Sequence, residues 1–342
     1  MENKIKNIKD LAALLNISAT TVSRVLNGKA GTYRISPATS QKVLDAAEKF
    51  NYHPNWIARG LRLERTETLG LIVPDIANPF FASIAKSIEF ESRRKGYSII
   101  LCDSLDSSLT EKVLLQLLAG RKVDGIILAP VGLKTDHITA FLNKGIPVVI
   151  IDRYLPDVPV SYITTDNYAG AKEAVEHMIS RGHRNIACIQ GITGISVNTD
   201  RVKGYKDALR KHGIRINNSL VSGTDFGEKN GYHQTMKLLK RKNVPSAILA
   251  LSNLISLGVM RAVSEKGLKI PEDISLVSFD DQPYSEFLAC PMTMVDQLKE
   301  EIGRSAVNIL LEAIRDLNKD KREQIILKPR LIIRDSVKII RQ

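Results

Sequence analysis

The sequence predicts a short all-α unit followed by a larger α/β unit made of two similar lobes. Three observations carry this. The first sixty-odd residues hold apolar positions at helical spacing and no strand-like run. From Thr68 onward, short runs rich in Ile, Val and Leu alternate with amphipathic segments of helical length, the pattern of parallel sheets joined by right-handed crossovers. These runs number about seven before the late "QIILKPRLIIR", more than one five-stranded layer needs, and 342 residues are too many for one ordinary core.

The first helix is announced by Ile8, Leu11, Ala12 and Leu15. "Asn16-Ile17" breaks that periodicity, and Asn tolerates the left-handed backbone of a tight turn better than most residues. Ser18 caps a second helix, from which Val22, Val25 and Leu26 face inward and Ala19, Thr20, Ser23, Arg24 and Asn27 face outward. That helix, within "ISATTVSRVLNG", carries a surplus of hydroxyl side chains, which are indifferent helix formers, so a partner outside the helix is expected to use them. "Ser36-Pro37" opens a third helix, with Val43, Leu44 and Ala47 as its apolar face, ending near Phe50-Asn51-Tyr52. "HPNWIARGLRLERTET", residues 53–68, reads as a brief, marginal helix within a linker, ordered by a partner.

The strands expected next are "LGLIVPDI", "SIILCDS", "DGIILAP", "PVVIID", "NIACIQG", "SAILAL" and "ISLVSFD". Among the helices are "KSIEFESRRKGY", "AKEAVEHMISRGH", "VKGYKDALRKHG" and "GVMRAVSEKG", several closed by Gly. Ligands of open parallel sheets bind beyond the carboxyl ends of the strands, so two facing lobes would form a cleft there.

Charge narrows the function. The net charge is +12, and residues 1–65 hold eleven Lys or Arg against five acids, half of the excess in under a fifth of the chain. That places the attraction for an anionic partner in the helical unit. Cys102, Cys188 and Cys290 are odd in number and far apart, as reduced structural thiols are, without the spacing of a disulfide framework or zinc site. There is no apolar run of membrane-spanning length, and "MENKIKNIKDLAALL" lacks a secretory leader, so a cytoplasmic location with no membrane partner is expected. An enzyme on an α/β scaffold is the alternative. The sequence has no Walker-type phosphate loop, no G-x-S-x-G, no H-E-x-x-H and no dinucleotide fingerprint at the first strand, and its six histidines show no zinc-type pairing. His183, in "GHRNI", reads as a structural turn residue. A solute-binding protein for transport would share the two lobes but would need a leader and would not need residues 1–65.

In their order along the chain, "IKDLAALLNISATTVSRVLNG", "NYHPNWIARGLR", "TLGLIVPDIANPFF", "DGIILAP", "GHRNIACIQG", "RVKGY" and "ISLVSFDD" resemble a LacI/GalR-family transcription regulator over essentially the whole chain. The resemblance implies a helix-turn-helix headpiece over residues 1–53, a hinge helix and linker over 54–66, and a periplasmic-binding-protein-like sensor over 67–342. Its first lobe would span about 67–165 and 298–327, and its second about 166–297 and 328–342. It further implies a homodimeric repressor of a palindromic double-stranded operator, controlled by a small-molecule effector, a sugar or sugar derivative, with no cofactor and no metal. The chain ends without an added apolar heptad segment, which fits a dimer.

Carried over residue by residue, Ala19 and Thr20 occupy positions that distinguish operators, Arg24 matches a base-contacting arginine, and Ser18, Thr21, Ser23 and Asn27 suit phosphates. Ser18 is equally a plain helix cap. In the hinge, Leu61 matches a leucine wedged into the minor groove, with Ala58 one turn before it and Asn55 at the cap. Trp56 and Arg59 are candidate phosphate or partner-hinge contacts. The loop "GKAGTYRIS" is longer than in the best-known relatives. Its Lys29, Tyr33 and Arg34 are either further backbone contacts or a solvated loop. In the sensor, Phe80 and Phe81 would wall the cleft, near Asp75 and Asn78. Asp152, Arg153, Arg201, Phe226, Asp280 and Gln297 would complete it, a set suited to hydroxyl groups and one apolar sugar face. Ser252-Asn253 stands where relatives usually carry Asn-Asp.

Overall fold

The computed structural model describes residues 5, 7–52, 65–316 and 322–340. The chain divides into two compact units, Met1–Thr66 and Glu67–Gln342.

In the first unit, α1 (Ile8–Leu15) begins at Asn7, whose side chain accepts from the Lys9 and Asp10 amides while Asp10 reaches back to the Asn7 amide. This reciprocal box satisfies donors that the first turn leaves open. Asn16 ends α1 in the left-handed conformation, φ 54°, the turn its amide side chain tolerates. α2 (Ala19–Leu26) starts at Ser18, and α3 (Pro37–Lys49) starts at Ser36 with proline in its first turn. Leu11, Leu15, Val22, Val25, Val43, Ala46 and Ala47 form one buried core. Leu44, expected on the inner face of α3, is exposed; its neighbour at helical spacing, Ala47, and Ala46 take the inner positions. Residues 53–64, which contain the expected hinge residues Asn55, Ala58 and Leu61, together with Trp56 and Arg59, lie outside the described residues.

The second unit contains two parallel sheets of one design. The first holds β1 (Thr68–Val73), β2 (Ser98–Asp103), β3 (Gly125–Leu128), β4 (Val148–Ile151), β5 (Ser161–Thr165) and β11 (Gln324–Leu327), in the order β11-β5-β4-β3-β1-β2. The second holds β6 (Ile186–Ile189), β7 (Val221–Ser222), β8 (Ala247–Ala250), β9 (Ser275–Phe279), β10 (Thr293–Asp296) and β12 (Arg330–Ile332), in the order β12-β10-β9-β8-β6-β7. All pairs are parallel except β10 with β12. Ile72, near the carboxyl end of β1, lies level with Cys102 and Leu128.

Helices cover both faces of each sheet. α4 (Pro79–Arg94) and α11 (Lys299–Arg315) bury one face of the first, and α5 (Ser108–Gly120) and α6 (Asp136–Leu142) the other. α7 (Asn167–Ser180) and α8 (Ser196–Lys211) cover one face of the second, and α9 (Glu228–Leu239) and α10 (Asn253–Glu265) the other. The chain passes between the lobes after β5, after β10 and after β11. β5 and β10 are strands that apolar runs do not announce: "SYITT" and "TMVD" are short and part polar. His183 is fully buried and structural, placed against Ser246 Oγ at 2.9 Å and the Lys338 carbonyl at 3.2 Å. No helix among the described residues is long and apolar enough to cross a membrane.

Candidate functional site

Two sets of residues invite a partner, one in each unit. In the headpiece, Ser18 Oγ accepts from the Thr21 amide at 3.0 Å and lies 2.8 Å from Thr21 Oγ1. Asn27 Nδ2 donates to the Ser23 carbonyl at 2.6 Å. The hydroxyl surplus of α2 is therefore partly absorbed by local bonds, and Ser18 is a helix cap. Thr20 is exposed, and Ala19 leans on the headpiece core. Arg24 is half-buried, and its guanidinium lies over the Tyr33 ring, 3.8 Å from the centroid. Lys29 and Arg34 sit in a folded turn, with Arg34 in the left-handed conformation.

In the α/β unit, the carboxyl ends of both sheets bring charged side chains together between the lobes. Asp152 follows β4 and Asp280 follows β9; both are buried. Arg201, on α8, is buried too, donating from Nε to Asn167 Oδ1 at 2.7 Å and from Nη1 to the Leu251 carbonyl at 2.6 Å. Its guanidinium stacks 3.9 Å from the Phe279 centroid. Arg153, also buried, donates to the Pro130 carbonyl at 3.0 Å and lies 3.7 Å from Asp152, 3.8 Å from Asp106 and 5.6 Å from the Phe226 ring centre. Gln297 Nε2 donates to Asp280 Oδ1 at 2.5 Å.

Burial pushes the Asp152 carboxyl up to about 6; Arg153 and Arg201 oppose that shift and Asp280 adds to it. Burial likewise lowers Arg201, against the pull of Asp280 and Asp152. The cleft is dry enough that each charge is felt by the others. Arg153 Nε, Thr165 Oγ1 and Gln297 Oε1 are buried with no hydrogen-bond partner among the described residues. A hydroxyl group of a molecule bound beside Arg153 can satisfy its Nε. A cavity of about 330 Å³ opens beside Arg153, lined among others by Leu133, Tyr154, Ser196 and Thr199.

Phe80 and Phe81 stand in the first turn of α4, next to Asn78. Both rings belong to the first lobe's core, edge to face at 5.0 Å. Phe81 lines an apolar groove with Ile76, Ala85 and Leu101. The apolar environment of α4 takes them inward. Polar residues join the lobes here as well. Asn253 Nδ2 donates to Asn78 Oδ1 across the cleft at 3.0 Å, and Tyr154 reaches Ser196 Oγ and Asp200 on the opposite lobe. Glu111, fully buried, accepts from the Val131 amide at 2.8 Å and meets His137 at 2.6 Å, fixing the loop that carries Gly132 and Leu133. Of this set, Asn78 and Asn253 are singled out by the family resemblance; Tyr154 and Glu111 are not.

Residues 7–55 match the family described as bacterial regulatory proteins, lacI family, and residues 66–335 match periplasmic binding proteins and sugar binding domain of LacI family. The chain belongs to the LacI family. It is 35% identical to the HTH-type transcriptional regulator DegA of Bacillus subtilis (strain 168) over 332 residues, 96% of this chain and 97% of that one. Among solved structures, this LacI-family chain is similar to the transcriptional regulator CelR–cellobiose complex, with TM-score 0.73, 31% identity, and coverage of 97% and 100% of the two chains. It is also similar to the Lac repressor dimer bound to operator and the anti-inducer ONPF, with TM-score 0.83, 26% identity, and coverage of 98% and 100%. LacI-family membership accounts for a helix-turn-helix unit and a two-sheet sensor in one chain.

Proposed function

We propose that this LacI-family chain is a transcriptional repressor that binds a palindromic double-stranded operator as a homodimer, its affinity set by a sugar or sugar derivative held between the lobes. The reading is of a cytoplasmic binding protein that needs no catalysis. One observation carries it: a basic headpiece that presents Arg24 without an ion-pair partner among the described residues is joined to a sensor whose cavity is lined by Arg153, with its Nε buried and unsatisfied.

On this reading residues 1–53 are the headpiece, 54–66 the hinge and 67–342 the sensor, divided into lobes as the sequence suggests. Ala19, Thr20 and Arg24 read bases; Ser18, Thr21, Ser23, Asn27 and Asn55 hold the backbone; Ala58 and Leu61 enter the minor groove. Asp152, Asp280 and Gln297 take the effector's hydroxyls, Arg153 and Arg201 donate to its oxygens, and Phe226 covers its apolar face. Phe80 and Phe81 wall the cleft from the first lobe. Exposed Ile76 and Leu101, on the groove that Phe81 lines, support pairing with a second copy.

Linkage requires effector and operator to change each other's affinity by one factor. The test is duplex selection from a random pool, followed by titration of the selected palindrome at rising salt with and without a sugar panel. Affinity should fall on the order of a thousandfold between about 50 and 200 mM salt, and one sugar should shift it. Absence of a selected palindrome, or identical sugar affinity with and without DNA, contradicts the proposal.

A further inference from the structure

We infer that Tyr33, on the long loop after α2, is a positioning residue for base recognition: its ring face holds the Arg24 guanidinium in the plane needed to read one base pair. This rests on the reading of Arg24 as a base contact.

The loop is a folded turn. Gly28, at φ 67°, lets the chain leave α2, with its amide donating to Val25 and that of Lys29 to Arg24. One further turn follows: the Tyr33 amide donates to the Lys29 carbonyl, Arg34 to Gly31 and Ile35 to Ala30, closed by Arg34 at φ 51°. Ala30 and Ile35, at the two ends of this turn, pack against the headpiece core. Tyr33 is thus fixed from both sides while its side chain stays 48% exposed.

The ring lies 3.8 Å from the guanidinium carbon of Arg24. A guanidinium carries its donors in its own plane, so stacking uses the face and leaves those donors free. Two in-plane donors are what a bidentate contact to guanine O6 and N7 consumes. No ion pair with a carboxylate engages Arg24 among the described residues, so the aromatic face restrains it without competing for its donors. Restraint before binding removes part of the rotamer entropy that an unsupported arginine loses on contact.

This role differs from a phosphate contact by the Tyr33 hydroxyl, which would strengthen binding to all sequences alike and would be lost in Tyr33→Phe. The experiment uses the full chain and a pool of random duplexes at fixed salt, comparing wild type, Tyr33→Phe, Tyr33→Leu and Tyr33→Ala. The selected duplex and its single base-pair variants are then titrated at two salt concentrations. Arg24→Ala identifies the base pair that Arg24 reads. Tyr33→Phe keeps the ring face and should keep the wild-type preference there. Tyr33→Leu and Tyr33→Ala should lower it about twofold to fivefold, the scale of an exposed cation–π contact, with preferences elsewhere and the salt slope unchanged. Tyr33→Leu retains apolar bulk and decides the matter if Tyr33→Ala loses its headpiece fold by thermal melting. Unchanged preference in Tyr33→Leu overturns the inference, as does an equal loss on every sequence, or a loss in Tyr33→Phe. Failure of the wild type to enrich any motif overturns the operator reading itself.

Discussion

Asp152 and Asp280 occupy the same place in the two lobes. Each follows the fourth strand of its sheet in the left-handed conformation, φ 66° and 72°, and each donates its amide to the fifth strand, to the Ile163 and Val295 carbonyls, at 2.9 Å. Aspartate is among the few non-glycine residues that tolerate this backbone. The repeated architecture thus sets two buried carboxylates at the cleft, both felt by Arg201. Their surroundings then part them: Asp280 is held by Gln297, whereas the charged neighbour of Asp152 is Arg153, at 3.7 Å.

Asp152 should make the sensor more stable as pH falls through about 6, the value to which burial raises it from its ordinary 3.8. Between those values the folded state binds a proton that the unfolded chain has released, so folding is favoured by acid in that window and the gain levels off below about 4. Asp152→Asn keeps the shape and the left-handed tolerance without the charge. It should raise the thermal midpoint at pH 7 by about 2–6 °C and flatten the slope between pH 7 and 5. Burial also raises Asp106 and Glu111, so part of the slope persists. Thermal melts at pH 5, 6 and 7 check this; an unchanged slope in the variant counts against it.

Residue 253 should have to be a hydrogen-bond donor. Asn78 Oδ1 caps α4 by accepting from the Phe80 amide at 3.0 Å, so that oxygen is committed as an acceptor when Asn253 meets it from the other lobe. The Asn253 oxygen is turned to the Leu254 amide at 2.9 Å. Asn253→Ala loses one bond, but Asn253→Asp sets a carboxylate against an acceptor and should hold the lobes apart. Small-angle scattering should give a larger radius of gyration for Asn253→Asp than for Asn253→Ala. Sugar affinity should fall roughly tenfold, about 1.4 kcal/mol. Equal behaviour of the two variants would remove the acceptor clash from the account.

Gly258→Ala should destabilise the second lobe although alanine is the better helix former by about 1 kcal/mol. α9 and α10 cross with glycine on each side, and a methyl at Gly258 would strike the backbone of Glu228 and Tyr232. Backbone cannot turn aside as a side chain can, so a loss of about 1–3 kcal/mol is expected. Urea denaturation gives the sign directly: a gain in stability would mean the helices can separate.

The local parts of this molecule were the legible ones. Asn16 in its turn, Ser18 and Ser36 as caps and the Pro37 start are each set by a few neighbouring residues, and the alternation of apolar runs marks buried parallel strands. Asp152, Arg201 and Asp280 were reached by resemblance, because nothing in their spacing says that three distant segments converge. The Asn78–Asn253 bond joins residues 175 positions apart on different lobes, and the Arg24–Tyr33 stack depends on how a long loop folds.

Arg201→Lys should fail to replace arginine in the cleft. The guanidinium is used in three ways at once: Nε to Asn167, Nη1 to the Leu251 carbonyl, and its face on Phe279. A lysine ammonium is a point charge that can reach one of these acceptors but offers neither the fork nor the planar face. The acceptor it leaves sits in a buried site, where an unmet bond costs about 1–3 kcal/mol, and Asp280 and Asp152 lose the delocalised charge between them. Arg201→Met fills similar volume without charge, leaving Asp280 with only the neutral Gln297 and Asp152 with only Arg153, so it should be the less stable of the two. Thermal melts are expected to rank wild type above Arg201→Lys above Arg201→Met, while sugar titration should find neither variant binding within tenfold of wild type. Wild-type sugar affinity in Arg201→Lys would reduce the role of Arg201 to its charge alone.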